Sequence, residues 1–290
     1  RTLRKSQRRC QRAIRKLQTH GFIPVLIFQG YLSIRGSLFV MLKLFDAIFH
    51  IIDYRFPIIE NQGYLPPQFL PSDYLKFMSS YELLGGTVVS GSFQGFDTQY
   101  LISALSVLGK HYVGVVNYNP HYTDLDIINL DKLGVKAIRF NVRRGTKDAI
   151  DLLEYASKRV FDLVNWHSEI YIDSKDIHSI KDKLLKIPRL AIDHLGLSKE
   201  GFDDVLSLVE KGAYVKASGF GRLDFDPVWA IKQILAINEN ACVFGSDLPS
   251  TRAQRPFLPA DIELINNNFD NSQSKKIFYE NALKLYKINF

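Results

Sequence analysis

The sequence predicts an α/β fold, a barrel of eight parallel strands alternating with helices. Three observations carry this. From residue 45 onward, short apolar runs and amphipathic stretches take turns eight times. The runs are continuous, as in strands covered on both faces, rather than alternating in and out. Two of them, Arg189–Gly196 and Cys242–Leu248, carry His194 and Asp247 beside Gly or Pro turns. Strand ends are where a barrel of this kind keeps its chemistry.

The elements follow in order. Strands are predicted over Phe45–Ile52, Thr87–Ser92, Tyr112–Tyr118, Gly134–Asn141, His167–Asp173, Arg189–Gly196, Ala213–Phe220 and Cys242–Leu248. Most are rich in Val, Ile, Phe or Tyr. Helical patterns fill the gaps over Asp73–Leu84, Thr98–Lys110, Leu125–Leu133, Lys147–Val164, Asp176–Ile187, Phe202–Gly212 and Asp226–Asn238. Asp97, Asp176 and Asp226 supply caps or acidic first turns, and Gly134 and Gly212 mark stops. Two more helices, Asp261–Phe269 and Ser272–Ile288, close the chain. The rival fold, an open doubly wound sheet, places a Gly-rich phosphate turn after its first strand. Here that strand runs into the loop Tyr54–Ser72 instead. Its Pro57, Pro66, Pro67 and Pro71 sit among aromatic residues, as in a rigid flap near the barrel mouth.

The 290 residues are 46% hydrophobic and 23% charged, ample for a packed core. The net charge of +7 belongs to the start of the chain. Residues 1–44 hold ten Lys or Arg and no acid, which leaves 27 basic against 30 acidic residues in the rest. The body therefore has no basic excess to bind nucleic acid by counterion release. Cys10 and Cys242 are the two cysteines, too few for a disulfide framework or a Cys-rich zinc site. They fit a reducing compartment, and the cytoplasm is the expected location. The expected division is a basic, apolar leader over 1–44 and a barrel domain over 45–290. The leader's apolar runs, Phe22–Phe28 and Leu38–Leu42, are short and interrupted. No window reaches about 18 uninterrupted apolar residues, so no membrane span is predicted. An Arg-rich, acid-free start also suits a transit or export signal. The plainer alternative is upstream sequence outside the domain.

The strand ends offer, in order, Asp46 and His50; Ser90 and Ser92; Arg139, with Asn141, Arg143 and Arg144 behind it; Glu169 and Tyr171; His194; Lys216, Ser218 and Arg222; and Asp247, with Arg252 beyond. A structural reading stands beside each chemical one. Asp247 before Leu248-Pro249 suits a turn cap, His50 suits packing on Asp46, and Arg144 suits pairing with Asp148. Arg139 lies in an otherwise apolar strand and needs an anionic partner, whether side chain or substrate. Ser90–Gly95 has the look of a nucleophile turn, but no His or acid follows at recognisable spacing.

In order and spacing, the segments Phe45–Asp53, Ile192–Gly196 and Phe244–Pro249 resemble the amidohydrolase-related (amidohydrolase 2) TIM-barrel hydrolases. The resemblance is strongest to the 2-pyrone-4,6-dicarboxylate lactonase-like branch, and it runs from about residue 45 to the C-terminus. It implies a TIM barrel with extra C-terminal helices and a hydrolase that opens a small anionic cyclic ester, most simply a carboxylated lactone. Carried onto this chain, Asp247 activates water, His194 polarises the lactone carbonyl, and His50 completes the catalytic group. Arg139, Arg144 and Arg222 become partners of carboxylate or oxyanion, a task suited to the planar guanidinium fork. Tyr171 orients the substrate.

The family's first-strand His-x-His reads Ile48-Phe49-His50 here, and Tyr171 stands where metal-dependent members carry a further His. No cofactor is favoured. The alternative is zinc or manganese on His50, His194 and Asp247, three ligands with an open position. Two other functions stay open: a metal-dependent amidohydrolase or decarboxylase of the same fold, and a catalytically degenerate barrel that binds a ligand. The expected partner is a small anionic substrate. Nothing in the sequence indicates an oligomeric state.

Overall fold

The structure, a computed structural model, describes residues 41–144 and 147–290, and of residues 147–149 the backbone alone. The leader expected over 1–44 lies, up to residue 40, outside the described residues. A compact unit spans Met41–Phe290.

Eight strands form one sheet in chain order, every neighbouring pair parallel. They are β1 (Lys43–Phe49), β2 (Glu82–Val89), β3 (Tyr112–Asn117), β4 (Val135–Asn141), β5 (His167–Tyr171), β6 (Leu190–Ile192), β7 (Tyr214–Ala217) and β8 (Cys242–Phe244). Backbone hydrogen bonds from His50 N to Leu248 O (2.7 Å) and from Asp247 N to Ile48 O (2.8 Å) join the two outer strands at their ends. The result is a nearly closed barrel with helices between the strands, the predicted TIM-barrel architecture.

The helices are α1 (Pro71–Phe77), α2 (Gln99–Leu108), α3 (Asp124–Lys132), α4 (Lys147–Val164), α5 (Ser174–Ile177), α6 (Lys181–Leu184), α7 (Phe202–Glu210), α8 (Pro227–Ile237), α9 (Pro259–Asn268), α10 (Asn271–Lys275) and α11 (Asn281–Tyr286). Asp226 caps α8 as expected, accepting from Val228 N at 3.0 Å. Several bounds differ from the sequence reading, most clearly these. The helix expected over Asp73–Leu84 stops at Phe77, and β2 begins at Glu82 instead of Thr87. Pairing with β1 draws Glu82 and Leu83 into the sheet, opposite Lys43 and Leu44. Gly85, at φ +151, then passes so close to the His111 carbonyl that a Cβ would lie 2.1 Å from its oxygen. The helices expected over Asp176–Ile187 and Ser272–Ile288 are each broken, the first where Ile180 leaves helical geometry at φ −126 and the second by a π turn over Lys276–Glu280.

Side chains two apart on a strand share a face. In register across β4 and β5, Ala137, Arg139 and Asn141 sit beside His167, Glu169 and Tyr171. At the end away from the mouth, Phe45, Ala47, Val113, Val115 and Val243 pack with Ala282, Leu285 and Tyr286 of α11. The Phe45 and Tyr286 rings stack with centroids 5.6 Å apart. Above this apolar layer lies a charged one. Lys216 bonds Glu169 and stands 3.2 Å from Asp193 Oδ1, while Glu169 Oε1 takes the Tyr286 hydroxyl at 2.5 Å and His167 Nε2 at 3.1 Å. Burial pushes the Glu169 carboxyl up, but the Lys216 charge outweighs it and holds the group ionised.

Candidate active site

The mouth of the barrel brings together all seven candidates, His50, Arg139, Arg144, Tyr171, His194, Arg222 and Asp247, around one cleft. They come from the ends of β1, β4, β5 and β6 and from the turns after β4, β7 and β8.

Asp247 is at the centre. Its residue adopts φ +58, uncommon for a side chain without glycine's freedom, in a turn that also holds Ser250 (φ +64) and Arg252 (φ +59). Oδ2 accepts from Arg222 Nε at 2.8 Å, with Arg222 Nη2 at 2.7 Å, and that Nη2 also donates to Thr251 O at 2.7 Å. Oδ1 is buried and has no hydrogen-bond partner among the described residues. Facing it are His50 Nε2 at 3.5 Å and His194 Nε2 at 3.7 Å. Burial alone would raise the Asp247 pKa. The charge of Arg222, with His194 and His50 behind it, overrides burial and holds the carboxyl well below the usual range.

The two imidazoles are fixed from behind. His50 Nδ1 lies 2.7 Å from the Val89 carbonyl oxygen. Asp46, the structural partner suggested for His50, is engaged elsewhere and accepts from Ser246 N (2.8 Å), Ser246 Oγ (2.6 Å) and Tyr74 OH (3.3 Å). His194 and Leu195 adopt φ +53 and +50, a backbone turn that swings the imidazole over the mouth. Burial first, then Arg222 and Arg139, push His194 down to about 4 against the pull of Asp247, so its ring is neutral at pH 7.

The anionic partner of Arg139 is Asp193, whose Oδ2 receives Nε at 2.9 Å and Nη2 at 2.8 Å, while Nη1 donates to Ser90 O at 3.1 Å. Its guanidinium also stands 5.3 Å from the Tyr171 ring centre, with that of Arg144 at 5.9 Å. Tyr171 meets His194 edge-on at 5.3 Å. Arg144 is pushed down by burial first, then by Arg252, Arg222 and Arg143, against Tyr171. Asp148, the pairing partner suggested for it, has no described side chain.

The cleft has a volume of about 30 Å³, space for a water or a carbonyl group. Arg144, Tyr171, Arg222 and Arg252 line both this cleft and a neighbouring cavity of about 520 Å³. Tyr64 of the long loop lines the cleft, and Gln62 of the same loop lines the cavity. Arg252 ties that loop down: its guanidinium bonds Asn61 O and lies 4.6 Å from the Tyr64 ring centre. The expected flap is therefore built into the mouth. Sequence reasoning gave no part in the site to Asp193 or Tyr64, and it placed Ser218 and Arg252 at strand ends without assigning them a role. Of these, Asp193 and Ser218 carry a signal, since each lies at the end of a strand whose face is already charged.

A family model for amidohydrolases matches residues 41–288. The chain belongs to the amidohydrolase family. It is thus an enzyme of the amidohydrolase-related fold, a hydrolase. The amidohydrolase is similar to 4-sulfomuconolactone hydrolase of Hydrogenophaga intermedia, with 23% identity over 266 residues, 83% of this chain and 88% of the relative. It is also similar to 2-pyrone-4,6-dicarboxylate hydrolase of Comamonas testosteroni, with 23% identity over 146 residues, 49% of this chain and 47% of that one. Two solved structures share the fold. One, from Agrobacterium tumefaciens, has a TM-score of 0.74 at 19% identity, covering 85% of this chain and 96% of its own. The other, from Acinetobacter baumannii, is titled a probable 2-pyrone-4,6-dicarboxylic acid hydrolase with citric acid bound. It has a TM-score of 0.73 at 21% identity, covering 84% and 99%.

Members of this family often hold divalent metals, and the donor set here does not fit one. Among the described residues, no group of three or more His, Cys, Asp and Glu side chains is arranged to hold an ion. Asp247 already carries the guanidinium of Arg222, a fixed cation beside which a divalent ion would be repelled. At the first position of His-x-His, Ile48 brings a methyl group against Gly245, where a Cβ would lie 2.4 Å from Ile48 Cγ2. No helix among the described residues is long and apolar enough to cross a membrane.

Proposed function

We propose that this amidohydrolase opens a small cyclic ester bearing carboxylates, with Asp247 as the base that activates water. One observation carries the reading. Asp247 Oδ1 is a buried carboxylate oxygen without a hydrogen-bond partner among the described residues, and it faces the cleft between two imidazoles. Leaving such an atom bare is costly, and a water in the cleft supplies the missing bond. That water attacks an ester carbon whose carbonyl oxygen meets His194. Asp247 takes a proton from the water as the new carbon–oxygen bond forms. The ring carbon–oxygen bond then breaks, and the proton passes to the departing ring oxygen. Base catalysis of this kind contributes about 10²–10⁴-fold.

Arg222 makes the base conditional on the substrate. In the free protein it neutralises Asp247. A substrate carboxylate that competes for the guanidinium releases Asp247, whose affinity for a proton then rises. Arg144 takes a carboxylate at the border of cleft and cavity. Arg139, already bound to Asp193 and Ser90, acts as a fixed positive wall, and Tyr171 orients the ring. The relatives named for sulfomuconolactone and pyrone dicarboxylate, and the structural neighbour with citric acid bound, support a carboxylated substrate.

The test is hydrolysis of a panel of carboxylated lactones, with and without EDTA. Ring opening that survives EDTA and is lost in Asp247→Asn is the expected result. Activity abolished by EDTA and restored by zinc or manganese replaces this mechanism with a metal-dependent one. Undiminished turnover in Asp247→Asn removes the base.

A further inference from the structure

Two neighbours fix the ring of His194. Tyr171 meets it edge-on, and Gly219, at φ +60, comes so close that a Cβ there would lie 2.7 Å from Nδ1. The ring therefore keeps one orientation. Nδ1 lies 2.9 Å from the Ser218 Oγ at the end of β7, and Nε2 faces the cleft. A neutral imidazole carries one proton, so two tautomers are available. With the proton on Nδ1, that N–H donates to Ser218, and the Ser218 hydroxyl proton is left without an acceptor. With the proton on Nε2, Ser218 donates to Nδ1, and both buried groups are satisfied. Ser218 is 1% exposed, and among the described residues its hydroxyl has no other partner. Stranding a buried donor is costly enough to decide between tautomers.

We propose that the Ser218 hydroxyl is a positioning group that holds His194 in the Nε2–H tautomer, giving the cleft a neutral hydrogen-bond donor. His50 supplies the contrast. Its Nδ1 faces the Val89 carbonyl, which only accepts, so Nδ1 carries the proton and Nε2 presents its lone pair to the cleft. Two imidazoles thus flank Asp247 Oδ1 with opposite character. One donates a hydrogen bond to the ester carbonyl oxygen; the other accepts a hydrogen bond from the second O–H of a water held by Asp247. This catalytic consequence rests on the lactone-hydrolase reading, whereas the tautomer itself does not.

Nuclear magnetic resonance of the full chain, made with isotope-labelled histidine, reports the tautomer of each ring through nitrogen–proton correlations at neutral pH. His194→Gln and His50→Gln identify the two signals by their loss. His194 is expected to be protonated on Nε2 and His50 on Nδ1. In Ser218→Ala, His194 moves to the Nδ1–H form or to a mixture while His50 stays as it was. Ser218→Thr, which keeps the hydroxyl, restores the native pattern. A wild-type His194 protonated on Nδ1 overturns the proposal whether or not any variant folds, and so does a folded Ser218→Ala protein with an unchanged His194 signal. On a carboxylated lactone that the enzyme turns over, Ser218→Ala lowers kcat by about 10²-fold with KM little changed. If no lactone is turned over, the hydrolase reading fails while the nitrogen spectrum still decides the tautomer.

Discussion

Two layers of buried charge lie one above the other in this barrel, and they follow opposite rules. In the lower layer every charge has a counter-charge: Lys216 against Glu169 and Asp193, and Arg139 forked onto Asp193. In the upper layer Arg222 covers one oxygen of Asp247 and leaves the other facing two imidazoles. Both layers are hidden from solvent, so burial does not separate structure from chemistry here. The difference lies in what is left incomplete. Asp193, with one oxygen on Arg139 and the other 3.2 Å from Lys216, holds strands together, and Asp247, with an oxygen turned away from its cation toward a cleft, is ready for a guest.

That contrast is open to measurement. The largest effect belongs to the upper layer: Asp247→Asn lowers turnover of a carboxylated lactone by about 10²–10⁴-fold, with the circular dichroism of the folded barrel kept and the melting temperature lowered because Arg222 loses its counter-charge. Lys216→Met strikes the lower layer and leaves Glu169 without a cation and Asp193 with Arg139 alone. Urea denaturation is expected to show a loss of about 3–5 kcal/mol; a loss near zero would mean the layer is not paired in solution.

The next effect is in pH. His194 is held at about 4, below its ordinary 6.5, because burial favours the neutral ring. The fold therefore gains stability from His194 above pH 6.5 and loses it as pH falls from there toward 4, by about 3 kcal/mol in all. His194→Gln should flatten that part of the stability curve and leave the rest alone. Arg222→Gln removes a charged donor from both base and substrate. KM for a carboxylated lactone is expected to rise by about 10-fold or more, as the loss of a charge-assisted hydrogen bond implies. The smallest effect is Tyr286→Phe, which removes a phenol from Glu169 and from Ala47 O and should cost about 1 kcal/mol by chemical denaturation.

The eight strands were legible because each is a run of apolar, β-branched or aromatic residues between turn signals. Only the first half of β2 escaped, since Leu83 and Leu84 continue an apolar pattern that serves a helix as well as a strand. The mouth was legible because strand ends name their own residues, and His50, His194 and Asp247 stand at three of them. The pairing of Arg139 with Asp193 was not. The two are 54 residues apart, and no local pattern says which acid a buried guanidinium will meet. Period two along β4 and β5 puts Arg139 and Glu169 on one face, so a charged interior could have been inferred, though not its connections. Tyr64 and Arg252 come from loops whose path is set by contact with each other.

The Tyr286 phenol reaches from α11 back to residues laid down far earlier in the chain. A chain made only as far as β8 contains Lys216 and Glu169 but lacks that hydroxyl and the α11 residues that pack with Phe45. The eighth strand can close the ring, yet it cannot seal the floor. Arrival of α11, rather than of β8, therefore completes folding, and nascent chains halted between the two should remain open to proteases.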